Sequence, residues 1–176
     1  HVAEDMTGKI EMILDGGAVD IGVESTIVDM TVTPPMILRP GAITKEMLEK
    51  LAGEIAVDKT LLSAESKEAP KAPGMKYRHY APKAEMIIFT GDPEKVRLAM
   101  AEEKLERAQF GQRVEVMLYG DKEPGEAAKE FFAQLREFDK TDVDVIFATA
   151  LAEDGIGLAV MNRMFKSAGY NIREIK

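Results

Sequence analysis

From residue 86 onward the chain repeats one pattern three times: a short apolar run, a turn, then a longer stretch whose apolar residues recur at helical spacing. The run at 86–90 reads as a buried strand, and those at 114–119 and 143–149 as a second and a third strand. Asp92-Pro93 suits a helix opening, since Asp can cap the first amides and Pro has its φ set for the first turn. That helix is expected to run to about Gln109 and stop at Gly111. Ala128, Phe131, Phe132, Leu135 and Phe138 mark the apolar stripe of a second helix. A third follows Gly155, with Leu158, Met161, Met164, Phe165 and Ala168 inward and Gly169 past its end. Strands joined by helices of this length pair in parallel through right-handed crossovers. Residues 85–176 are therefore expected to form a small α/β unit with a parallel sheet between helices.

The preceding residues follow a different pattern. Apolar runs at 10–14, 25–30 and 36–38 stop at Asp15-Gly16-Gly17, near Pro34-Pro35 and at Pro40-Gly41, which predicts three short strands with tight connections. Thr44 then reads as an N-cap, with Glu46 in the first turn, Met47, Leu48 and Leu51 at helical spacing and Gly53 as the stop. Between 58 and 84 no amphipathic period persists, and Pro70, Pro73 and Pro82 would interrupt a helix. A linker of this length is longer than ordinary loops, so it is either functional or disordered.

Composition narrows the function classes. With 45% hydrophobic and 31% charged residues, the chain has the material for a packed core and a solvated surface, and no apolar run is long enough for a membrane span. A formal net charge of −8 repels a nucleic-acid backbone on average, so direct DNA binding is not expected. Cysteine is absent, and the two histidines, His1 and His79, are far apart, so no metal-ligand cluster is predicted. A cysteine-free chain suits a reducing cytoplasm, the location expected here. The opening His-Val-Ala-Glu-Asp has neither an initiator Met nor a charged-then-apolar leader, and a fragment is the expectation.

Four places could carry chemistry. Gly22-Val23-Glu24-Ser25-Thr26 sets two hydroxyls at the mouth of a strand, suited to an amino acid or a phosphate; the plainer reading is a turn whose Ser25 satisfies backbone groups. Leu38-Arg39-Pro40-Gly41 places a guanidinium at a strand end, where its planar fork can grip phosphate or carboxylate, or simply form a surface ion pair. Between 69 and 84 there are Lys71, Lys76, Arg78, His79 and Lys83, two tyrosines, three prolines and no acid. Such a stretch can close over a nucleotide as a lid, or cross an acidic surface as a solvated linker. Gly155-Ile156-Gly157 matches half of a dinucleotide-binding turn and reads as a tight turn opening a helix, whose N-terminus can receive an anion.

Taken in order, these stretches resemble the L-threonylcarbamoyladenylate synthases of the two-domain type. The resemblance rests on Gly8-Lys9-Ile10 with Ile13-Leu14-Asp15-Gly16-Gly17, on Gly22-Val23-Glu24-Ser25-Thr26-Ile27-Val28-Asp29, and on Ile37-Leu38-Arg39-Pro40-Gly41-Ala42-Ile43-Thr44. Ala72-Pro73-Gly74-Met75-Lys76-Tyr77-Arg78-His79-Tyr80-Ala81-Pro82-Lys83 completes it. It is motif-based over 1–83 and architectural beyond. It implies residues 1–57 as the end of a YrdC-type twisted α/β domain, 58–84 as a long linker and lid, and 85–176 as a Rossmann-like accessory domain of three layers.

The resemblance further implies a nucleotidyltransferase that joins L-threonine, bicarbonate and ATP, with magnesium on the nucleotide, for the t6A modification of tRNA. Ser25 would help hold threonine, and Arg39 and Tyr80 would touch ATP, with Arg78 and His79 added from the character of the loop. No residue of the chain is expected to be catalytic or to ligate a metal. The family's basic Lys/Arg motif and Ser-x-Asn motif do not occur here, so the chain alone is expected to be inactive. Proteins of the t6A pathway are the expected partners, and exposed sheet edges in the first segment predict disorder, swapping or self-association. The alternative is a non-catalytic, nucleotide-responsive regulatory or docking module. A carbohydrate- or peptide-binding domain ranks last, since aromatics are only 6% and Trp is absent.

Overall fold

The computed structural model describes residues 2–17, 19–61, 71, 81–120 and 122–176. The elements, in chain order, are α1 (Val2–Met6), β1 (Ile27–Asp29), β2 (Met36–Arg39), α2 (Lys45–Ala52), β3 (Ala56–Val57), a 3-10 turn (Lys59–Leu61), β4 (Glu85–Gly91), α3 (Pro93–Gln109), β5 (Val114–Met117), α4 (Pro124–Phe138), β6 (Val145–Thr149), α5 (Gly155–Ser167) and β7 (Ile172–Ile175). They form two sheets, β1-β2-β3 and β5-β6-β4-β7.

The second sheet is parallel throughout, with Ile87 opposite Phe147 and Ile88 opposite Ile172. Strand periodicity divides its side chains between two cores. Met86, Ile88, Met117, Ile146 and Ala148 meet Ala128, Phe131 and Leu135 of α4 and Val160, Met161 and Met164 of α5. Ile87, Phe89, Val114, Val145 and Phe147 turn the other way, onto Val96 and Met100 of α3. The result is the expected three layers, and each fully buried Phe or Ile contributes roughly 1.5–3 kcal/mol. Asp92 caps α3 by accepting from the Glu94 and Lys95 amides at 3.1 Å each, with Pro93 following, as the sequence predicts. A fourth strand, β7, was not anticipated, because Ile172–Ile175 contains two charged residues and is largely exposed.

The first sheet is small. β1 and β2 run antiparallel with a register shift after Ile27, and β3 joins β2 in parallel. Ile37, Leu38, Ile55 and Leu61 are its buried core. Thr44 caps α2 through the Met47 amide at 3.4 Å, and Gly53 ends the helix at φ 77°. Two expectations fail here. Residues 10–14 form no strand: among the described residues the segment makes only an isolated bridge, from Ile10 to Thr7, and Met12 and Leu14 are 73% and 88% exposed. Met47 and Leu51 also face solvent, so only Leu48 carries the helix's packing.

Candidate functional site

Ser25 and Arg39, 14 residues apart, lie side by side. Antiparallel pairing sets Ile27 opposite Arg39, and the Arg39 Nε donates to the Ser25 carbonyl at 2.9 Å. Gly41 then passes so close to Glu24-Ser25-Thr26 that a Cβ there would stand 2.3 Å from the Glu24 oxygen. The Thr26 hydroxyl donates to the Ile43 carbonyl at 2.7 Å and closes the loop. Ser25 itself is exposed, and no described group hydrogen-bonds its hydroxyl or the terminal nitrogens of Arg39. An exposed hydroxyl beside a guanidinium fork can accept an amino acid or an anionic oxygen.

Behind this loop stands a polar face of α5 that the sequence reading missed. Arg163 donates from Nε to the Glu24 carboxylate at 2.7 Å and from Nη1 to Asn162 at 2.8 Å, and Lys166 donates to the same Asn162 oxygen at 3.1 Å. Asn162 in turn donates to the Leu61 carbonyl. Burial opposes the charge on Glu24, but the charge of Arg163 and the hydrogen bonds win and hold its pKa below the ordinary carboxylate value. Burial pushes Lys166 down to about 8, with Arg163 and Arg39 adding to the effect and Glu24 opposing it. Asn162, Arg163 and Lys166 recur at helical spacing, a signal visible in sequence. Beside the apolar stripe, however, it looks like an ordinary solvated face.

The helix turn at Gly155-Ile156-Gly157 also has an internal partner. Gly155 takes φ 50°, and its amide approaches the Glu46 carboxylate of α2 at 3.5 Å. The tight turn is as read from sequence, and the negative charge facing this N-terminus comes from the chain's own Glu46.

In the basic stretch, Lys71 pairs with Asp58 at 3.0 Å, while Lys83 donates from its amide and its Nζ to Asp139 at 2.8 and 3.1 Å. These two lysines anchor the stretch at either end. Lys76, Arg78, His79 and Tyr80 lie outside the described residues.

The second sheet offers a nucleotide little room among the described residues. Its crossovers switch faces between β4 and β6, where ligands of open α/β sheets bind. The cavity there, bordered by Thr90, Gly91, Arg97 and Thr149, is about 60 Å³. Small-molecule sites start near roughly 300 Å³. A wider groove of about 500 Å³ at the opposite end is lined by Glu115, Glu137 and Asp142 against Arg113, an acidic balance that repels phosphate. No group of three His, Asp or Glu side chains gathers as a metal site among the described residues.

The chain as a whole is similar to known proteins. Residues 43–169 match the family described as threonylcarbamoyl-AMP synthase, C-terminal domain, and residues 1–41 match the family described as telomere recombination. Threonylcarbamoyl-AMP synthases of Pyrococcus abyssi and Bacillus subtilis are 45% and 40% identical, over 99% and 96% of this chain. The chain spans about half the length of these curated relatives, 54% and 52%. The crystal structure of P. abyssi Sua5 complexed with L-threonine superposes on the whole chain with a TM-score of 0.90 at 44% identity, and 54% of that protein is covered. The chain belongs to the family of the threonylcarbamoyl-AMP synthase C-terminal domain.

Proposed function

We propose that this chain is the carboxy-terminal portion of a threonylcarbamoyl-AMP synthase, a nucleotidyltransferase that makes threonylcarbamoyl-AMP from L-threonine, bicarbonate and ATP for t6A modification of tRNA in the cytoplasm. The observation that carries this reading is the 2.9 Å bond from Arg39 to the Ser25 carbonyl, which sets a guanidinium beside an exposed hydroxyl at one cleft wall. The relative solved with L-threonine supports it through a shared fold.

In this reading Ser25 holds the threonine part by hydrogen bonding. Arg39 presents its terminal nitrogens to the phosphates, and Arg78, His79 and Tyr80 complete the nucleotide's seat. Attack of a carbamate on the α-phosphorus with loss of pyrophosphate needs little covalent help from protein. Rate comes from charge neutralisation and alignment, which Arg39 and the basic loop are suited to provide. Magnesium held by the ATP phosphates would supply further charge neutralisation, and no described His, Asp or Glu group gathers to ligate it. Glu24, the carboxylate beside the site, is committed to Arg163.

The test is calorimetric titration of ATP into the chain and into its Arg39→Ala and Tyr80→Ala variants. An affinity that falls in both variants supports the cleft; equal affinity in all three assigns the nucleotide to another site and sinks the reading. The chain alone, lacking the Lys/Arg and Ser-x-Asn motifs, is expected to release no pyrophosphate from ATP, threonine and bicarbonate.

A further inference from the structure

The three residues just before Ser25 lie outside the first sheet and pack against the helices α4 and α5 that cover the second. Gly22 lies so close to α4 that a Cβ would stand 2.4 Å from the Ala128 carbonyl oxygen and 2.9 Å from that of Lys129. Val23 packs into the apolar core built by β4, β6, α4 and α5. Glu24 meets Arg163, whose side chain is 6% exposed against 33% for Glu24. A backbone approach, an apolar plug and an ion pair at successive residues fix a segment in position and orientation. Each uses a different physical interaction, so the contact is not a chance proximity of two charges. Farther along the interface, Asn162 donates to the Leu61 carbonyl, and Glu46 approaches the start of α5.

We propose that the second unit is a positioning scaffold for the Ser25 loop, with Gly22-Val23-Glu24 plugged between α4 and α5 and Arg163 as the positioning residue. Where threonine is concerned, this rests on the reading of Ser25 given above. Ser25 lies on a loop with exposed side chains on its solvent face, and a hydroxyl is useful for recognition only when its backbone is held. On one side Arg39 and Gly41 hold it; on the other, the α4–α5 groove does. Removing the Arg163 charge frees Glu24, whose partly exposed carboxylate can turn to water, and the loop loses its orienting contact while both cores remain intact.

The experiment compares the chain with its Arg163→Met, Glu24→Gln and double variants by hydrogen exchange. Exchange of the Arg39 Nε proton, which is donated to the Ser25 carbonyl, is read against the Ile87 and Ile88 amides of β4, which report the core. The scaffold role predicts exchange about tenfold faster at the Arg39 Nε proton in each single variant, no further gain in the double variant, and unchanged β4 protection. Partial recovery is expected in Arg163→Lys. Exchange unchanged at the Arg39 Nε proton, or raised equally in β4, overturns the proposal. Gly22→Ala, which displaces the loop without altering charge, must give the same local signature, and its absence also counts against the scaffold. L-threonine titration separates the two readings. If the unaltered chain takes up threonine, affinity about tenfold weaker in Arg163→Met is expected, and equal affinity overturns the scaffold. If the unaltered chain takes up none, the assignment of Ser25 fails, and the exchange pattern alone decides the scaffold.

Discussion

Gly41→Ala tests the packing that unites Ser25 and Arg39. A Cβ at Gly41 would lie 2.3 Å from the Glu24 carbonyl oxygen, 2.6 Å from the Thr26 nitrogen and 2.8 Å from the Ser25 carbonyl carbon. Ordinary nonbonded contact is roughly 3.5 Å, so the two segments must part by about 1 Å. All three obstacles are backbone atoms, which cannot turn aside as a side-chain end could. Gly41 does not adopt a positive φ, so the cost is steric contact rather than dihedral strain. Overpacking of this kind costs about 1–3 kcal/mol, while Ala lowers unfolded-chain entropy and returns about 0.4–1 kcal/mol. The net loss, about 1–2 kcal/mol, corresponds to a fall of roughly 3–6 °C in melting temperature for a chain of this size.

Gly16→Ala is the matched control, because nothing lies within 4 Å of its Cβ and it too lacks a positive φ. It should melt at or slightly above the unaltered chain. Melting is followed by circular dichroism, and the Arg39 Nε proton by NMR, where its bond to the Ser25 carbonyl slows exchange. Gly41→Ala should lose that protection. If the two glycine variants melt together and the Arg39 proton stays protected, the tight approach is not what holds these residues side by side.

Two further outcomes follow from local geometry. Asp92→Ala removes the acceptor of the Glu94 and Lys95 amides and should cost about 1 kcal/mol in urea unfolding, with Asp92→Asn largely restoring it; equal stability of Ala and Asn variants would refute the cap. Lys166 stands at about 8 in the folded chain against an ordinary 10.5, chiefly through burial. Between these values the unfolded chain keeps a proton that the folded chain has shed, so this group's contribution to stability rises with pH across the window. The difference between unaltered chain and Lys166→Met, measured from pH 8 to pH 10.5, should show that rise, and parallel stability curves would contradict it.

Much of the second unit was legible in sequence. Strands buried on both faces need continuous apolar runs, and helices covering them need stripes, so residues 86–90 and the Phe131-Leu135 stripe announced their own places. Asp92 and Thr44 were equally legible, because a cap acts within three residues. Residues 10–14 misled, since a short apolar run says nothing about whether a neighbouring strand is there to complete its ladder. β7 was missed for the opposite reason: an exposed edge strand pairs through its backbone and needs little apolar sequence.

For the site, sequence alone supplied the residue types and their order, Ser25 at one strand mouth and Arg39 at the next strand end. Only the tertiary structure decided that the Arg39 Nε reaches the Ser25 carbonyl, that Gly41 is there for close approach, and that Glu24 turns away to Arg163, 139 residues distant in the chain. Hydrophobic period and caps are local and can be read in one dimension. An ion pair between a loop and a helix of another sheet depends on how the sheets dock, and the docking is set by shape, which no short stretch of residues encodes.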